Sequence, residues 1–363
     1  MRTLFRSFQT YPLRYLFVCV LIICLLTLYP YNFLQRNNVR PEGDGLAFSL
    51  PGTAYTIRPH EALSYLYQFT FLLQVTPDEG EEVGRFARIM SSGRNVYDQN
   101  FSIGQWRSQL NVQFFNRDSK QFNELTIPDV FRKGKQSWIA LTFNGTTVRC
   151  YVDGIKKAER RTGPMALTQW DSTYPIIFGT DPSGKQQWEG TIHSAAIFDR
   201  AFKAAELRHP DLIFRKYSSI IHYEFGRRAE QFIPSIGSDP DSVFIPAFYM
   251  PYNRSTLFDS FRIMGRQRLY IRDIVANVFF FLPIGFFSAL ALRRTVNGMV
   301  FVTILSMCFG MILSVSIESL QIFLPSRFSS LLDVVSNTLG AALGALVTVV
   351  IARSISRHEP GRT

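Results

Sequence analysis

Four apolar runs punctuate the chain. They cover residues 15–34 (YLFVCVLIICLLTLYPYNFL), 274–292, 298–317 with an apolar continuation to Pro325, and 334–352. Each is close to the roughly 20 residues that an α-helix needs to cross a bilayer, so the pattern predicts four transmembrane helices. The first run follows Arg2, Arg6 and Arg14 in the basic-then-apolar order of a signal peptide, but no small-residue cleavage site comes after it. It therefore reads as an uncleaved signal anchor.

Between the first and second runs the pattern changes. Residues 46–208 read as β throughout, with no helical period. LYQFTFLLQV (66–75) has an alternating front half. WIALTFNGTTVRCYVDGIKKAE (138–159) is cut by Asn144-Gly145 and Asp153-Gly154, dipeptides that supply the positive φ of tight turns. Three short strands of a meander follow, and regular strands with such turns predict a β-sandwich. YVDGIKKA and PIIFGTDPSGKQQWEGTIHSAAIFDRAFKAAEL (175–207) resemble the concanavalin A-like lectin/glucanase superfamily in its laminin-G-like branch. Asp153, Gly154, Gly179, Trp188, Gly190, Ile192, Phe198, Asp199, Ala201 and Glu206 carry the likeness. IIHYEFG (220–226) and VFIPAFYMP (243–251) resemble closing strands, so the jelly-roll sandwich is expected over 40–252. The paired carboxylates of a glucanase are not seen on any alternating strand. Asp153 reads as a turn former and Trp188 as core. Glycan binding by exposed aromatics rests on fold analogy, beside a protein-contacting role.

The membrane runs carry polar residues that hydrocarbon disfavours. Asp273 and Asn277 are four apart, as are Asp333 and Asn337, and Ser314, Glu318 and Gln321 follow an i, i+4, i+7 line. Alternating helix directions bring all of them, with Arg327 of the intervening loop, to one end of the bundle. Beyond Asn337 the stripe continues as Gly340 and Gly344, a spacing that lets helix backbones approach. Pro283 denies the carbonyl of Phe279 its helical donor and predicts a kink. A polar cup is thus expected from Asp273, Asn277, Glu318, Gln321, Arg327, Asp333 and Asn337. Its bland counterpart is interhelical hydrogen bonding with a salt bridge from Arg327 to Glu318 or Asp333. DIVANVFFFLPIGF (273–286), SIESLQIFLPSR (316–327) and DVVSNTLGAALG (333–344) resemble the VanZ-like family in order and spacing. The resemblance implies a link to resistance against the glycopeptide teicoplanin, and the large β insertion departs from a minimal member.

Arginines set the expected orientation. Arg2, Arg6 and Arg14, Arg293 and Arg294, and Arg353, Arg357 and Arg362 all fall on one side of a four-helix arrangement. That side is then the cytoplasm, with the sandwich outside a cell (inner) membrane. Arg262, Arg266, Arg268 and Arg272, interleaved with Leu257, Phe258, Phe261 and Met264, suggest an interfacial segment at 255–272 contacting headgroups. The expected organisation is 1–35 for the N-tail and first helix, 40–252, 255–272, 273–353 for the membrane domain, and a tail at 354–363.

Composition narrows the chemistry. The chain is 47% hydrophobic and 18% charged with a formal charge of +11, and no basic aromatic-interleaved stretch points to nucleic acid. Cys19, Cys24 and Cys308 lie in apolar runs and Cys150 stands alone, so no disulfide framework is indicated. The histidines at 60, 193, 209, 222 and 358 lack metal or triad spacing, and neither metal nor cofactor is expected. The sequence predicts an envelope protein that binds a lipid headgroup or lipid-linked glycan. The alternatives are a surface enzyme using Glu318 with Asp273 or Asp333, with no nucleophile in view, and a scaffold for a membrane complex.

Overall fold

A computed structural model describes residues 7–80, 84–95, 98–116, 121–162, 170–226, 231–252, 271–324, 327 and 329–358. The chain forms two compact units, Leu34–Asn253 and Met1–Phe33 with Arg254–Thr363.

The first unit is a sandwich of two antiparallel eight-stranded sheets. One sheet runs in the order β1 (Val39–Glu42), β2 (Gly45–Phe48), β13 (Gly190–Phe198), β4 (Phe69–Pro77), β9 (Ser137–Phe143), β10 (Thr147–Val152) and β11 (Ile155–Arg161). Strand β14 (Ile221–Glu224) pairs with β13 beyond the residues that β2 uses. The other sheet runs β15 (Phe232–Pro234), β16 (Ser242–Phe244), β3 (Ala54–Thr56), β12 (Ile176–Phe178), β5 (Ala87–Asn95), β6 (Asp98–Trp106), β7 (Gln109–Asn116) and β8 (Gln121–Ile127). The β9–β10–β11 meander turns where the dipeptides predict. Asp153 and Gly154 both take positive φ, 50° and 75°, as a two-residue hairpin of matching twist demands. The Asp153 carboxylate accepts the Trp138 N–H at 2.9 Å and the Asn144 side chain accepts the Thr147 N–H at 3.0 Å, so each turn also satisfies a backbone donor. Between the sheets Phe48, Phe69, Phe71, Phe101, Phe143, Phe178 and Trp188 are buried. Trp188 is core, and its indole N–H donates to Gln105 Oε1 at 2.7 Å, meeting the demand that a buried Trp makes. The four cysteines are free thiols, and burial pushes Cys150 up to about 12.

The second unit is helical. Helix α1 covers Pro12–Thr27, and a short α2 (Pro210–Lys216) belongs to the sandwich. Helices α3 (Ile271–Leu292), α4 (Met299–Gln321) and α5 (Leu331–His358) follow. Among the described residues three helices are long and apolar enough to cross a membrane: α3, α4 and Leu331–Ile351 of α5. Helix α1 is shorter than its apolar run. Its 16 residues reach about 24 Å, less than the ~30 Å hydrocarbon core. Pro30 lacks an N–H and disfavours helix at Tyr29, which accounts for the early stop.

Glycine sets the packing of the bundle. Any side chain at Gly340 or Gly344 would run into the carbonyls of Val278 and Leu282, and one at Gly285 into that of Ala341. The α3 and α5 backbones therefore touch, and dispersion contacts rather than water exclusion hold them together. Thr348 adds an interhelical hydrogen bond to the Phe286 carbonyl at 3.0 Å. Helix α3 stays continuous through Pro283. Ile23 of α1 packs with Phe281, Ile284 and Ile317. At the opposite end of the bundle from Gln321, Arg294 donates to the carbonyls of Gln9 and Thr10.

Candidate functional site: a polar cavity in the helical bundle

The bundle holds its polar groups inside. Glu318 is 3% exposed and Gln321 and Asn337 are also buried, while Phe279 is 72% exposed and Val300 and Phe301 are similarly open. Such an inverted distribution is stable only where the surroundings are apolar, and it marks the chain as a membrane protein.

These polar groups surround a cavity of about 330 Å³. Asn277 of α3, Glu318 and Gln321 of α4, Arg327, and Asp333 and Asn337 of α5 line it. Ile23, Leu26 and Thr27 of α1 with Phe280, Phe281 and Ile317 supply the rest. Helical spacing explains the convergence: Glu318 and Gln321 occupy the last turn of α4, Asp333 and Asn337 the first two turns of α5, and Asn277 the second turn of α3.

The lining is tied together by directed hydrogen bonds. Asn277 Nδ2 donates to Asp333 Oδ1 at 2.9 Å. Asn337 Nδ2 donates to Ser314 Oγ at 2.9 Å. Glu318 Oε2 accepts the backbone N–H of Ser330 at 2.8 Å, which holds the start of α5 to the end of α4. Gln321 Nε2 donates to the Thr27 carbonyl at 3.1 Å. Asn337 Oδ1 is buried without a hydrogen-bond partner.

Six of the seven residues expected in the cup line this cavity, and Asp273 does not. It is exposed at the start of α3, one turn beyond Asn277. The salt bridge of the bland counterpart, from Arg327 to Glu318 or Asp333, does not form. Arg327 is exposed, and its guanidinium donates to the carbonyls of Tyr29 at 3.0 Å and Leu26 at 3.4 Å. These groups lie in and just past the last turn of α1, where orphan carbonyls and the helix dipole favour a cation. Of the expected headgroup arginines, Arg272 is exposed, and Arg262, Arg266 and Arg268 lie outside the described residues. Sequence reasoning missed the α1 wall, because backbone carbonyls leave no residue-type signal.

The sandwich carries two buried polar clusters that sequence reasoning also missed. Arg88 donates to Gln186 Oε1 at 2.8 Å, Asn111 Oδ1 at 3.2 Å and Gln113 Oε1 at 3.1 Å. Burial lowers its pKa, against the nearby charges of Asp181 and Glu124. His60 donates or accepts between Asp239 Oδ2 at 3.0 Å and Thr56 Oγ1 at 2.9 Å, with Asp241 Oδ2 at 3.2 Å. Burial raises the Asp241 pKa, opposed by a backbone hydrogen bond from Ser242 and by His60. Among the described residues no group of three His, Cys, Asp or Glu is placed to hold a metal ion.

Comparison with known proteins agrees with this division. Residues 51–208 match the concanavalin A-like lectin/glucanases superfamily, and residues 226–352 match VanZ/LLP1. Strands β15 and β16 fall in the second match although they pair into the sandwich. No curated protein matches the chain. Among solved structures, the CBM40 of Ruminococcus gnavus IT-sialidase bound to α2,3-sialyllactose is 12% identical, over 49% of this chain and 98% of its own, with a TM-score of 0.36. A putative carbohydrate binding protein from Bacteroides ovatus is 12% identical, over 60% and 62%, at 0.39. The heptameric SAP-like pentraxin of Limulus polyphemus is 10% identical, over 60% and 95%, at 0.37. Superpositions this loose carry no argument about ligands.

Proposed function

From a chain that carries a concanavalin A-like segment at 51–208 and a VanZ/LLP1 segment at 226–352, we propose an envelope membrane protein whose bundle holds the headgroup of a lipid or lipid-linked glycan. The observation that carries this reading is the cavity, whose lining combines six polar or charged residues of the bundle with the apolar Ile23, Leu26, Phe280, Phe281 and Ile317. Beside it lies a shallow apolar groove of about 430 Å³, lined by Ile271, Arg272, Val275, Ala276 and Phe279 and sharing Phe280 with the cavity. A polar chamber adjoining an apolar groove fits an amphiphile better than a soluble metabolite.

In this reading α1 is a fourth membrane helix, and the arginine bias keeps both chain ends in the cytoplasm. The sandwich then stands outside, contacting envelope glycan or protein. Teicoplanin susceptibility is the phenotype that the VanZ resemblance attaches to the membrane domain. Glu318→Gln replaces the carboxyl group with an amide of the same size. The variant should insert normally, lose its co-purifying lipid in native mass spectrometry and lose the phenotype. Wild-type lipid retention in that variant would remove Glu318 from the site. Crosslinking that recovers protein partners alone would turn the reading to a scaffold.

A further inference from the structure

One corner of the sandwich carries a row of aromatic side chains on its outward face. Phe232 of β15 pairs with Phe244 of β16, and Phe244 pairs with Tyr55 of β3. Their neighbours Ile233, Val243 and Ala54 belong to the core, so strand alternation turns all three rings to the other face. Tyr252 extends the row. Ring centroids lie 5.1 Å apart for Phe232 and Phe244, 5.7 Å for Phe244 and Tyr55, and 5.3 Å for Tyr55 and Tyr252. Phe232 is 47% and Tyr252 44% exposed, and Ile57 and Met250, two residues along from Tyr55 and Tyr252, are exposed as well. An apolar strip open in this way marks a surface that meets a partner.

Two observations choose that partner. Both ends of the sandwich leave from this corner. The Asn37 N–H donates to the Ala247 carbonyl at 3.2 Å, the Tyr249 N–H donates to the Gln35 carbonyl at 2.7 Å, and Arg36 and Phe248 form a β-bridge. The chain before Gln35 leads back to α1, and the chain after Tyr252 leads on to α3. In addition, the VanZ/LLP1 match begins at residue 226. It takes in Phe232, Phe244 and Tyr252 together with the membrane helices, although β15 and β16 complete the sandwich.

We propose that this strip is a membrane-contact face, seated in the headgroup zone of the lipid leaflet on the sandwich's side. Aromatic residues are favoured in that zone, where the apolar body and polar tip of a tyrosine both find suitable surroundings. Arg36, and Arg58 next to Ile57, are exposed and suit lipid phosphates. A glycan fits the strip less well. Successive rings are tilted by 32°, 68° and 71°, which presents edges as well as faces, and Ile57 and Met250 offer a hydroxyl no strong hydrogen bond. A fluid lipid surface asks for neither flatness nor fixed polar partners. The face works whatever the bundle cavity holds.

The test uses the full-length chain in nanodiscs of phosphatidylcholine and phosphatidylglycerol, doped with a phosphatidylcholine that carries a photoactivated carbene precursor near its glycerol. Peptides covering 232–252 should gain adducts several-fold more often than the β10–β11 hairpin, whose Ile155 is 63% exposed. Adducts on α3 report insertion of the bundle, so a loss at the strip alone is read separately from a loss of insertion. Phe232→Ser and Tyr252→Ser each change an exposed site and should keep the fold. Each should lower the strip adducts several-fold and leave those on α3 unchanged, and either variant suffices if the other does not fold. Strip labelling no higher than that of the hairpin would overturn the membrane face, and so would adducts unchanged in both variants. Absence of adducts on α3 as well would overturn the membrane reading of the bundle with it. Protection of Phe232 from hydroxyl-radical oxidation by a soluble peptidoglycan fragment, without lipid adducts, would overturn the face in favour of a glycan.

Discussion

In the sandwich, Phe101 is fully buried and Phe71 and Trp188 are 1% exposed, whereas in the bundle Glu318 is 3% exposed and Phe279 is 72% exposed. The two regions sort the same residue types in opposite directions because they face different solvents. Water drives apolar area inward at about 25 cal/mol per Å² in the sandwich. Lipid supplies no such drive, so the bundle relies on backbone approach at Gly285, Gly340 and Gly344 and on polar contacts. A polar interior is then available for binding, which a close-packed sandwich core is not.

The contrast can be broken at its strongest point first. Trp188→Ala should cost the sandwich about 3–5 kcal/mol, with Gln105 Oε1 left without its donor, and a denaturant titration followed by protease resistance would read the loss. The next test uses two residues of similar exposure. Phe279→Lys on α3 should cost roughly 2.5–3.5 kcal/mol of insertion free energy, read as a reduced inserted fraction. Ile155→Lys, at a site 63% exposed on the sandwich hairpin, should stay within about 0.5 kcal/mol of wild type. Equal effects at the two sites would mean that α3 does not face lipid there.

A smaller effect concerns pH. Asp241 has its pKa raised in the fold, chiefly by burial, above the ordinary 3.8. The folded sandwich therefore holds this proton to higher pH than the unfolded chain does. The stabilisation is complete below the ordinary value and is lost as pH rises through the raised one. Asp241→Asn should flatten the stability-against-pH curve of the full-length protein in that acidic window. An unchanged slope would place the titration on other groups.

Much of this architecture was legible because its signals are local. Asn144-Gly145 and Asp153-Gly154 specify turns within four residues, and the Asn277, Glu318 and Asn337 stripes repeat at the helix period. Alternating helix directions then suffice to bring the stripes to one end. Asp273 shared the stripe of Asn277, but period alone cannot tell where a helix leaves its neighbours, and one turn was enough to expose it. The bland reading of Arg327 paired it with a carboxylate of the bundle. Arg327 instead meets carbonyls of Leu26 and Tyr29, which carry no side-chain signature and come from the far end of the sequence. The Arg88 network escaped for a related reason, since its partners at Asn111, Gln113 and Gln186 are joined only by sheet register and loop placement.

The α1 wall of the cavity also has a consequence in time. Ile23, Leu26 and Thr27 are synthesised first, and the helices that complete the chamber come after the entire Leu34–Asn253 unit. At about 5–20 residues per second, α1 precedes α5 by roughly 15–60 s. During that interval the carbonyls later taken by Gln321 and Arg327 have no such partners. The chamber is therefore closed last, by the most recently made helices returning to the oldest one.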